Sequence, residues 1–251
     1  MARKDAQGFE LDKNDFVKLT KHNAALAQEK VNTSANKLDG KKSSKVRKTL
    51  SAIGEDDFAP NGLCLLIREG ARKNFSDGFL KIIEQINKTN STRLSQEEQE
   101  KFADYIAGKK EDVLKRIEQG DYKIVDEVAE VGTDTKNRYN FSFVSKFCTY
   151  ISRYHFNNDD VFMPYDQVLQ SVLPYYAWVY CEEKKVEDFK KKRNYQGYID
   201  LARKIIDRSQ ILYGSEERLT LKEFDRLLWY KYKGLLGEDL IGLNSSLIKE
   251  T

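Results

Sequence analysis

Apolar residues recur at intervals of three and four along most of this chain, and no other feature constrains its fold as strongly. The pattern is clear in FLKIIEQI, which starts at residue 79, and in YIDLARKIIDRSQIL, which starts at residue 198. Only three residues are proline, so few positions break a helix. Alternating strand patterns are scarce, although DYKIVDEVAEV from residue 121 fits either a short strand or a helix. We therefore predict an all-α fold.

The same spacing locates the individual helices. A capping box is expected at Ser95 and Glu98, because a serine followed three residues later by a glutamate satisfies two backbone N–H groups at a helix start. A buried helix is expected from about Phe58. The other predicted helices span residues 76–89, 95–107, 110–119, 164–182, 195–212 and 220–233. A chain of 251 residues can bury one large core or the cores of two lobes.

Basic charge is concentrated at the N-terminus. Residues 1–48 hold twelve Lys and Arg against six Asp and Glu, whereas the whole chain has a net charge of only +3. Residues 28–52 are polar and short of large apolar groups, which is typical of a mobile or partly helical segment. We predict a basic arm over residues 1–55 and a helical domain over residues 56–251. The arm is suited either to follow a phosphate backbone or to keep the chain in solution.

Several classes of site are disfavoured by the residue types in the sequence. Cys64, Cys148 and Cys181 stand far apart, which argues against disulfides, zinc sites and iron–sulfur clusters. The only histidines are His22 and His155, so we expect no metal and no cofactor. No apolar run reaches the roughly 18 residues of a membrane span, and the first residues lack the apolar core of a signal peptide. We expect a cytoplasmic protein with no membrane partner.

The stretch FSFVSKFCTYISRYHFNNDDVFMPYD, residues 141–166, carries the candidate chemistry. On a helix, Lys146 lies at the border between an apolar face and a polar flank. A border lysine either extends its amine into water or leans into a cleft, where loss of hydration favours a neutral, nucleophilic amine. Pro164 suits the first turn of a helix, so Asp166 also falls in that turn, where the helix dipole favours a carboxylate. The same placements are common structural devices, so the local pattern leaves both interpretations open.

The order of these residues resembles the active-site half of the helix-hairpin-helix DNA glycosylases, especially the 8-oxoguanine DNA glycosylase-like branch. The likeness covers residues 140–180 and rests on a helix containing SK, followed by DVFMPYDQVLQSV. Lys146 and Asp166 stand twenty residues apart, which suits that family. The segment VFMPYDQ is also similar to the corresponding part of alkyladenine glycosylases. The resemblance implies a two-lobed helical fold with a central cleft, and we expect lobes at 76–150 and at 56–75 plus 164–251.

In that family the lysine is the nucleophile and the aspartate is essential, so the resemblance assigns these catalytic roles to Lys146 and Asp166. It implies a DNA N-glycosylase of DNA repair that removes a damaged or modified base, with AP lyase activity as a further step. Lys146 would attack C1′ of a flipped-out nucleotide while Asp166 stabilises the cationic sugar. Hydrolase and lyase chemistry, DNA as partner and a nucleoid location follow from the same likeness.

Further residues are assigned to DNA. The family's hairpin grips a phosphate through glycine N–H groups, but NRYNFSFVSK, residues 137–146, contains no glycine. We therefore assign the grip to N–H groups or hydroxyls of residues 142–145. The predicted DNA contacts are Arg138, Asn140, Ser142, Ser145, Lys190 and Lys191. Trp229 and Tyr230 are predicted to wall the base pocket, although aromatic residues at this density are more often core.

Two other functions stay open from the sequence. A catalytically silent DNA-binding protein, for example one that acts in defence against foreign DNA, would use the same cleft without a covalent step. A protein-interaction scaffold is consistent with the near-neutral overall charge and the hairpin without glycines. Salt-dependent DNA binding would argue against the scaffold, since phosphate contacts weaken as salt rises. We expect a monomer.

Overall fold

The computed structural model describes residues 3–4, 10–11, 16–37, 62–75, 78–90, 92–131 and 139–233. These residues form eleven helices and one two-residue antiparallel pairing of β1 (Arg3–Lys4) with β2 (Glu10–Leu11), which confirms the all-α prediction. The helices are α1 (Lys21–Lys37), α2 (Leu63–Arg72), α3 (Phe79–Asn90), α4 (Gln96–Gly108), α5 (Lys110–Glu118), α6 (Lys123–Val128), α7 (Phe141–Tyr154), α8 (Gln167–Cys181), α9 (Phe189–Lys192), α10 (Tyr195–Tyr213) and α11 (Leu221–Tyr232). Within the described ranges, no helix is long and apolar enough to cross a membrane.

Helix positions follow the apolar spacing closely. Ser95 forms the expected capping box: its hydroxyl accepts from the Glu98 N–H at 3.2 Å, and the Glu98 carboxylate accepts from the Ser95 N–H at 2.7 Å. The ambiguous segment from residue 121 contains α6 and is therefore helical. The helix expected from about Phe58 corresponds to α2, which starts at Leu63, and residues 51–61 lie outside the described residues. Helix α8 starts at Gln167 rather than at Pro164, because the Asp166 side chain caps it.

The chain forms two compact units, each built from separate stretches. The central unit comprises Leu38–Tyr165 and Phe189–Gly197. The terminal unit comprises Met1–Lys37, Asp166–Asp188 and Tyr198–Thr251. These bounds differ from the expected lobes, because α2 belongs to the central unit, where it packs against α3 and α7.

Helix α7 forms the core of the central unit. It packs against α2, α3, α5 and α6. Its apolar residues meet aromatic rings from those neighbours or from α4: the Phe147 ring lies 6.3 Å from Phe79, and the Phe143 ring lies 4.8 Å from Phe102. Burial of each such ring contributes roughly 1.5–3 kcal/mol to the free energy of unfolding. Because neighbours surround the helix, burial runs without a break from Phe143 to Arg153.

Tyrosine hydroxyls organise the terminal unit around α8. The Tyr176 hydroxyl accepts from the Val17 N–H at 3.0 Å and lies 3.1 Å from the Tyr232 hydroxyl. The Tyr180 hydroxyl lies 3.0 Å from that of Tyr213, and burial raises the pKa of Tyr180 to about 12. These hydroxyls stay protonated and act as hydrogen-bonding groups at neutral pH. They tie the segment that precedes α1 to α8.

Part of the expected N-terminal arm belongs to this unit. Helix α1 packs against α11, and Ala24, Ala27 and Val31 are buried at helical spacing. The prediction relied on a shortage of large apolar groups, but small residues allow two helices to approach closely. Residues 16–32 are therefore part of a packed structure, whereas the arm prediction for residues 38–55 lies outside the described residues.

One ion pair joins α1 to the start of α11. The Lys21 amine lies 2.7 Å from Glu223 Oε2, and the same carboxylate oxygen accepts from the Thr220 N–H at 2.7 Å. The Thr220 hydroxyl accepts in return from the Glu223 N–H at 3.2 Å, which completes a capping box. Burial alone would raise the pKa of Glu223, but the hydrogen bonds from Lys21 and Thr220 outweigh it and hold that pKa below its ordinary value.

We expect Glu223→Ala to lower the free energy of unfolding by about 1–2 kcal/mol, since it removes a helix cap and an ion pair together. Glu223→Gln should cost less, because a glutamine still completes the capping box. Chemical denaturation at neutral pH measures both values. Equal losses for the two variants would mean that the cap contributes nothing.

The contribution of this carboxylate should depend on pH in one direction. A depressed pKa means that the folded state favours the ionised form, so the stabilisation is present above the ordinary value of 4.5 and is lost as the pH falls below it. The difference in unfolding free energy between wild type and Glu223→Gln should therefore shrink on acidification. A difference that grows instead would contradict the assignment.

Candidate functional site

The Lys146 side chain lies inside the central unit rather than in water. It is only 7% exposed, although lysine is among the residues least often buried. Its amine donates to the Asn90 carbonyl oxygen at 3.4 Å and to the Ser142 hydroxyl at 3.3 Å. Both distances are long for N–H···O bonds, whose usual length is about 2.9 Å. The amine is therefore buried, and its bonds to these two oxygens are long.

Asn90 is the last residue of α3, and its carbonyl is one of the four that a helix leaves unsatisfied at its C-terminus. The negative end of the helix dipole lies there, so a lysine amine is a favourable partner. The Asn90 side chain is fixed as well. Its Oδ1 accepts from the Tyr150 hydroxyl at 2.8 Å, and its Nδ2 donates to the Thr89 hydroxyl at 2.9 Å.

The polar flank of α7 is more deeply buried than the border position of Lys146 suggests. Thr149 is fully buried and donates to the Ser145 carbonyl at 2.7 Å. Arg153 is 5% exposed. An amphipathic surface helix was expected, but packing on several sides makes α7 an internal helix.

The predicted phosphate grip is largely turned inward. Ser145 is fully buried, and its hydroxyl donates to the Ser142 carbonyl at 3.1 Å and accepts from the Tyr165 N–H at 2.9 Å. With its hydrogen bonds made inside the unit, this hydroxyl has no exposed surface for a phosphate, which argues against the predicted Ser145 contact. Asn140 precedes α7 and is 5% exposed, so its side chain also has little surface for a phosphate. Ser142 is half-buried against the Lys146 amine, and Arg138 lies outside the described residues.

Asp166 belongs to the terminal unit and is the N-cap of α8. Its Oδ1 accepts from the Leu169 N–H at 2.9 Å. The carboxylate thus lies at the positive end of a helix dipole, one residue outside the first turn in which it was predicted. An N-cap is also the commonest structural use of an aspartate, so its position alone does not separate the two interpretations.

Lys190 and Lys191 are exposed on α9, a four-residue helix of the central unit. Buried residues hold this segment at both ends: Phe189 is the first residue of α9, and Tyr195 follows the helix. The Tyr195 hydroxyl donates to the Met163 carbonyl at 2.6 Å. The two lysines are therefore presented to solvent from a well-fixed base, as the predicted phosphate contacts require.

A half-buried carboxylate supports the same segment. Asp126 accepts from the Tyr139 hydroxyl at 2.7 Å and from the Tyr195 N–H at 3.2 Å. Burial raises the pKa of Asp126 despite these hydrogen bonds, and burial together with the neighbouring carboxylate raises the pKa of Tyr139. The Arg193 guanidinium lies 5.2 Å from the centre of the Tyr139 ring and pairs with Glu130. This network was not predicted from the sequence, because its members come from three separate stretches.

The two aromatic residues predicted for a base pocket lie on α11 in the terminal unit. Tyr230 is 1% exposed, and its hydroxyl donates to Gln28 of α1 at 3.0 Å. It is a core residue here, as the structural interpretation expected. Trp229 is half-buried, with its ring 6.2 Å from that of Tyr230. Trp229 therefore keeps surface that a ligand can reach, and Tyr230 does not.

Within the part of the chain that the structure describes, no group of three or more His, Cys, Asp or Glu comes close enough to hold a metal ion. Cys148 is buried, and burial raises the pKa of its thiol, so it acts as an apolar core group. The residues that the sequence did not single out are Asn90 and Tyr150. Tyr150 stands four positions after Lys146 on α7, and this spacing was the available signal.

Comparisons with known proteins found one family model and one relative, and the family model matches part of the central unit. A family model named HI_0787_N, described as an N-terminal domain, matches residues 63–160, which all belong to this unit. An uncharacterized protein of Haemophilus influenzae is 32% identical over 140 residues, which make up 55% of this chain and 56% of the relative. The chain thus spans just over half the length of that relative. No solved structure matches.

Proposed function

We propose that this chain is a DNA N-glycosylase that uses Lys146 as its nucleophile to remove a damaged or modified base. The observation that carries the proposal is the burial of Lys146 on α7, the core helix of the central unit. Lysine is rarely buried in a folded protein, and a buried lysine side chain is a common source of amine nucleophiles. Its amine has oxygen partners at 3.4 Å and 3.3 Å, the Asn90 carbonyl and the Ser142 hydroxyl.

The chemistry follows from a neutral amine next to a flipped-out nucleotide. The Lys146 nitrogen forms a bond to C1′ as the glycosidic bond breaks, and the base leaves with the electron pair and takes up a proton. Loss of the amine proton and opening of the sugar ring give an imine between Lys146 and C1′. Removal of a C2′ proton then expels the 3′ phosphate by β-elimination, which is the AP lyase step. The family resemblance assigns to Asp166 the negative charge that offsets the cationic sugar.

DNA is the proposed partner. Lys190 and Lys191 are exposed on a firmly anchored segment and are available to contact backbone phosphates. Such contacts release counterions, so DNA affinity should fall as salt rises. An association with nucleoid DNA in the cytoplasm is part of the same proposal.

A second candidate is a DNA-binding protein without excision chemistry. The observation that favours it is the position of the Lys146 amine at the C-terminal end of α3, where a cation stabilises a helix without any reaction. In this case Lys146 contributes to folding, and the protein recognises unusual DNA without a covalent step.

Borohydride trapping separates the two candidates. Purified protein is mixed with duplexes that contain an abasic site or one of a panel of modified bases, and borohydride is added to reduce any imine to a stable amine. A covalent protein–DNA complex supports the glycosylase. Salt-dependent binding with no covalent complex on any substrate supports the second candidate, and no salt-dependent binding supports a scaffold.

A further inference from the structure

One stripe of side chains on α7 includes two residues that contact the end of α3. Ser142, Lys146, Tyr150 and Tyr154 stand four positions apart, so they lie on one face of the helix. Two of them contact Asn90: the Lys146 amine reaches its carbonyl oxygen, and the Tyr150 hydroxyl reaches its side-chain oxygen. One residue at the end of α3 thus meets both the candidate nucleophile and a tyrosine one turn away.

The two contacts differ in quality. The Tyr150 hydroxyl lies 2.8 Å from Asn90 Oδ1, the ordinary length of an O–H···O bond, whereas the Lys146 amine lies 3.4 Å from the carbonyl. Tyr150 is also 2% exposed, and its ring is nearly parallel to that of Tyr154 at 6.0 Å. Tyr150 is therefore a well-fixed partner of the Asn90 side chain.

The end of α3 is held from the other side too. The Thr89 hydroxyl, which accepts from Asn90 Nδ2, donates to the Gln85 carbonyl at 2.7 Å. Asn87 of α3 accepts from two groups in the connection to α4: the Leu94 N–H at 2.8 Å and the Thr92 hydroxyl at 2.8 Å. The Thr89 bonds orient the Asn90 carboxamide with its oxygen toward Tyr150, and the Asn87 bonds hold the connection that follows.

We infer that Asn90 and Tyr150 are positioning residues for Lys146. A lysine has four rotatable bonds, and confining its amine near one carbonyl reduces the conformational freedom it must lose to reach a near-attack geometry. The Tyr150 hydroxyl keeps Asn90, and with it that carbonyl, in place. This inference rests on the proposed glycosylase function. It gives Asn90 and Tyr150 a part in that function without contact to the substrate.

The test compares Tyr150→Phe, Asn90→Ala and the double variant with wild type. The single-turnover rate of borohydride trapping is measured at saturating protein, and DNA affinity is measured separately. Tyr139→Phe is the matched control, because it removes a 2.7 Å hydrogen bond from another tyrosine of the same unit without contacting Lys146. Melting temperatures report any general loss of stability.

We expect Tyr150→Phe and Asn90→Ala each to slow trapping by about 10- to 100-fold, because small misplacements of a reacting group have effects of this size. DNA affinity should change by less than about twofold, and the double variant should be no slower than the worse single variant, since both act through one contact. Wild-type trapping with an unchanged rate in Tyr150→Phe would overturn the positioning role alone. A similar slowing in Tyr139→Phe would also overturn it, because the effect would then be one of stability. A wild-type protein that traps no substrate would overturn the proposed function and this role with it.

Discussion

Lys146→Gln is expected to abolish covalent trapping and to reduce base excision by about 10³-fold or more, since no other group replaces the nitrogen that bonds to C1′. Glutamine is uncharged, polar and one bond shorter than lysine, so it fits the space that the lysine side chain occupies. The variant should therefore fold, and it should retain much of its DNA affinity. Excision and trapping on one substrate, together with the melting temperature, measure the effect.

Lys88→Gln is the matched control for this variant. Lys88 is exposed on α3, two residues before Asn90, so its substitution removes the same charge from the same helix end. Trapping by Lys88→Gln should equal that of the wild type. Intact excision by Lys146→Gln would remove the nucleophile assignment, whatever the control shows.

Asp166→Asn is expected to slow excision by about 10²- to 10³-fold while leaving the protein folded. Removal of one preorganised electrostatic group from a reacting centre typically has an effect of this size, because a neutral amide cannot offset the positive charge that develops on the sugar. Asparagine caps helices as well as aspartate does, so the bond from the Leu169 N–H should survive. The substitution therefore removes the charge and keeps the cap.

Two further variants make the Asp166 result specific. Asp166→Ala removes both charge and cap, and it should lower the free energy of unfolding by about 1 kcal/mol beyond Asp166→Asn. Asp200→Asn removes an exposed carboxylate from α10 of the same unit and should leave excision unchanged. If Asp166→Asn excises bases at the wild-type rate, then Asp166 is a helix cap and nothing more.

The sequence predicted the helices well because their apolar spacing is a local property. The capping box at Ser95 and the helix that contains Lys146 both follow from residues within four positions of one another. A second capping box at Thr220 and Glu223 was equally visible as TLKE. The lysine that pairs with Glu223 of this box was not visible, because Lys21 lies 202 positions away along the chain.

The partners of Lys146 also include a residue that is distant in the sequence. Tyr150 lies one turn from Lys146 and was accessible to a spacing argument, but Asn90 precedes Lys146 by 56 positions and carries no local signal. The burial of Ser145 follows from the packing of α7 among four helices, which periodicity along one helix does not reveal. This is why the sequence placed Ser145 at a phosphate and the structure places it inside.

The most direct test of Lys146 as the nucleophile is to locate the covalent bond in the trapped wild-type complex. The complex is reduced with borohydride, the DNA is digested to the attached sugar remnant, and the protein is cleaved and sequenced by mass spectrometry. A remnant on the Lys146 side chain is the result expected from its burial on α7. A remnant on any other lysine, or on the N-terminal amine, would contradict the account.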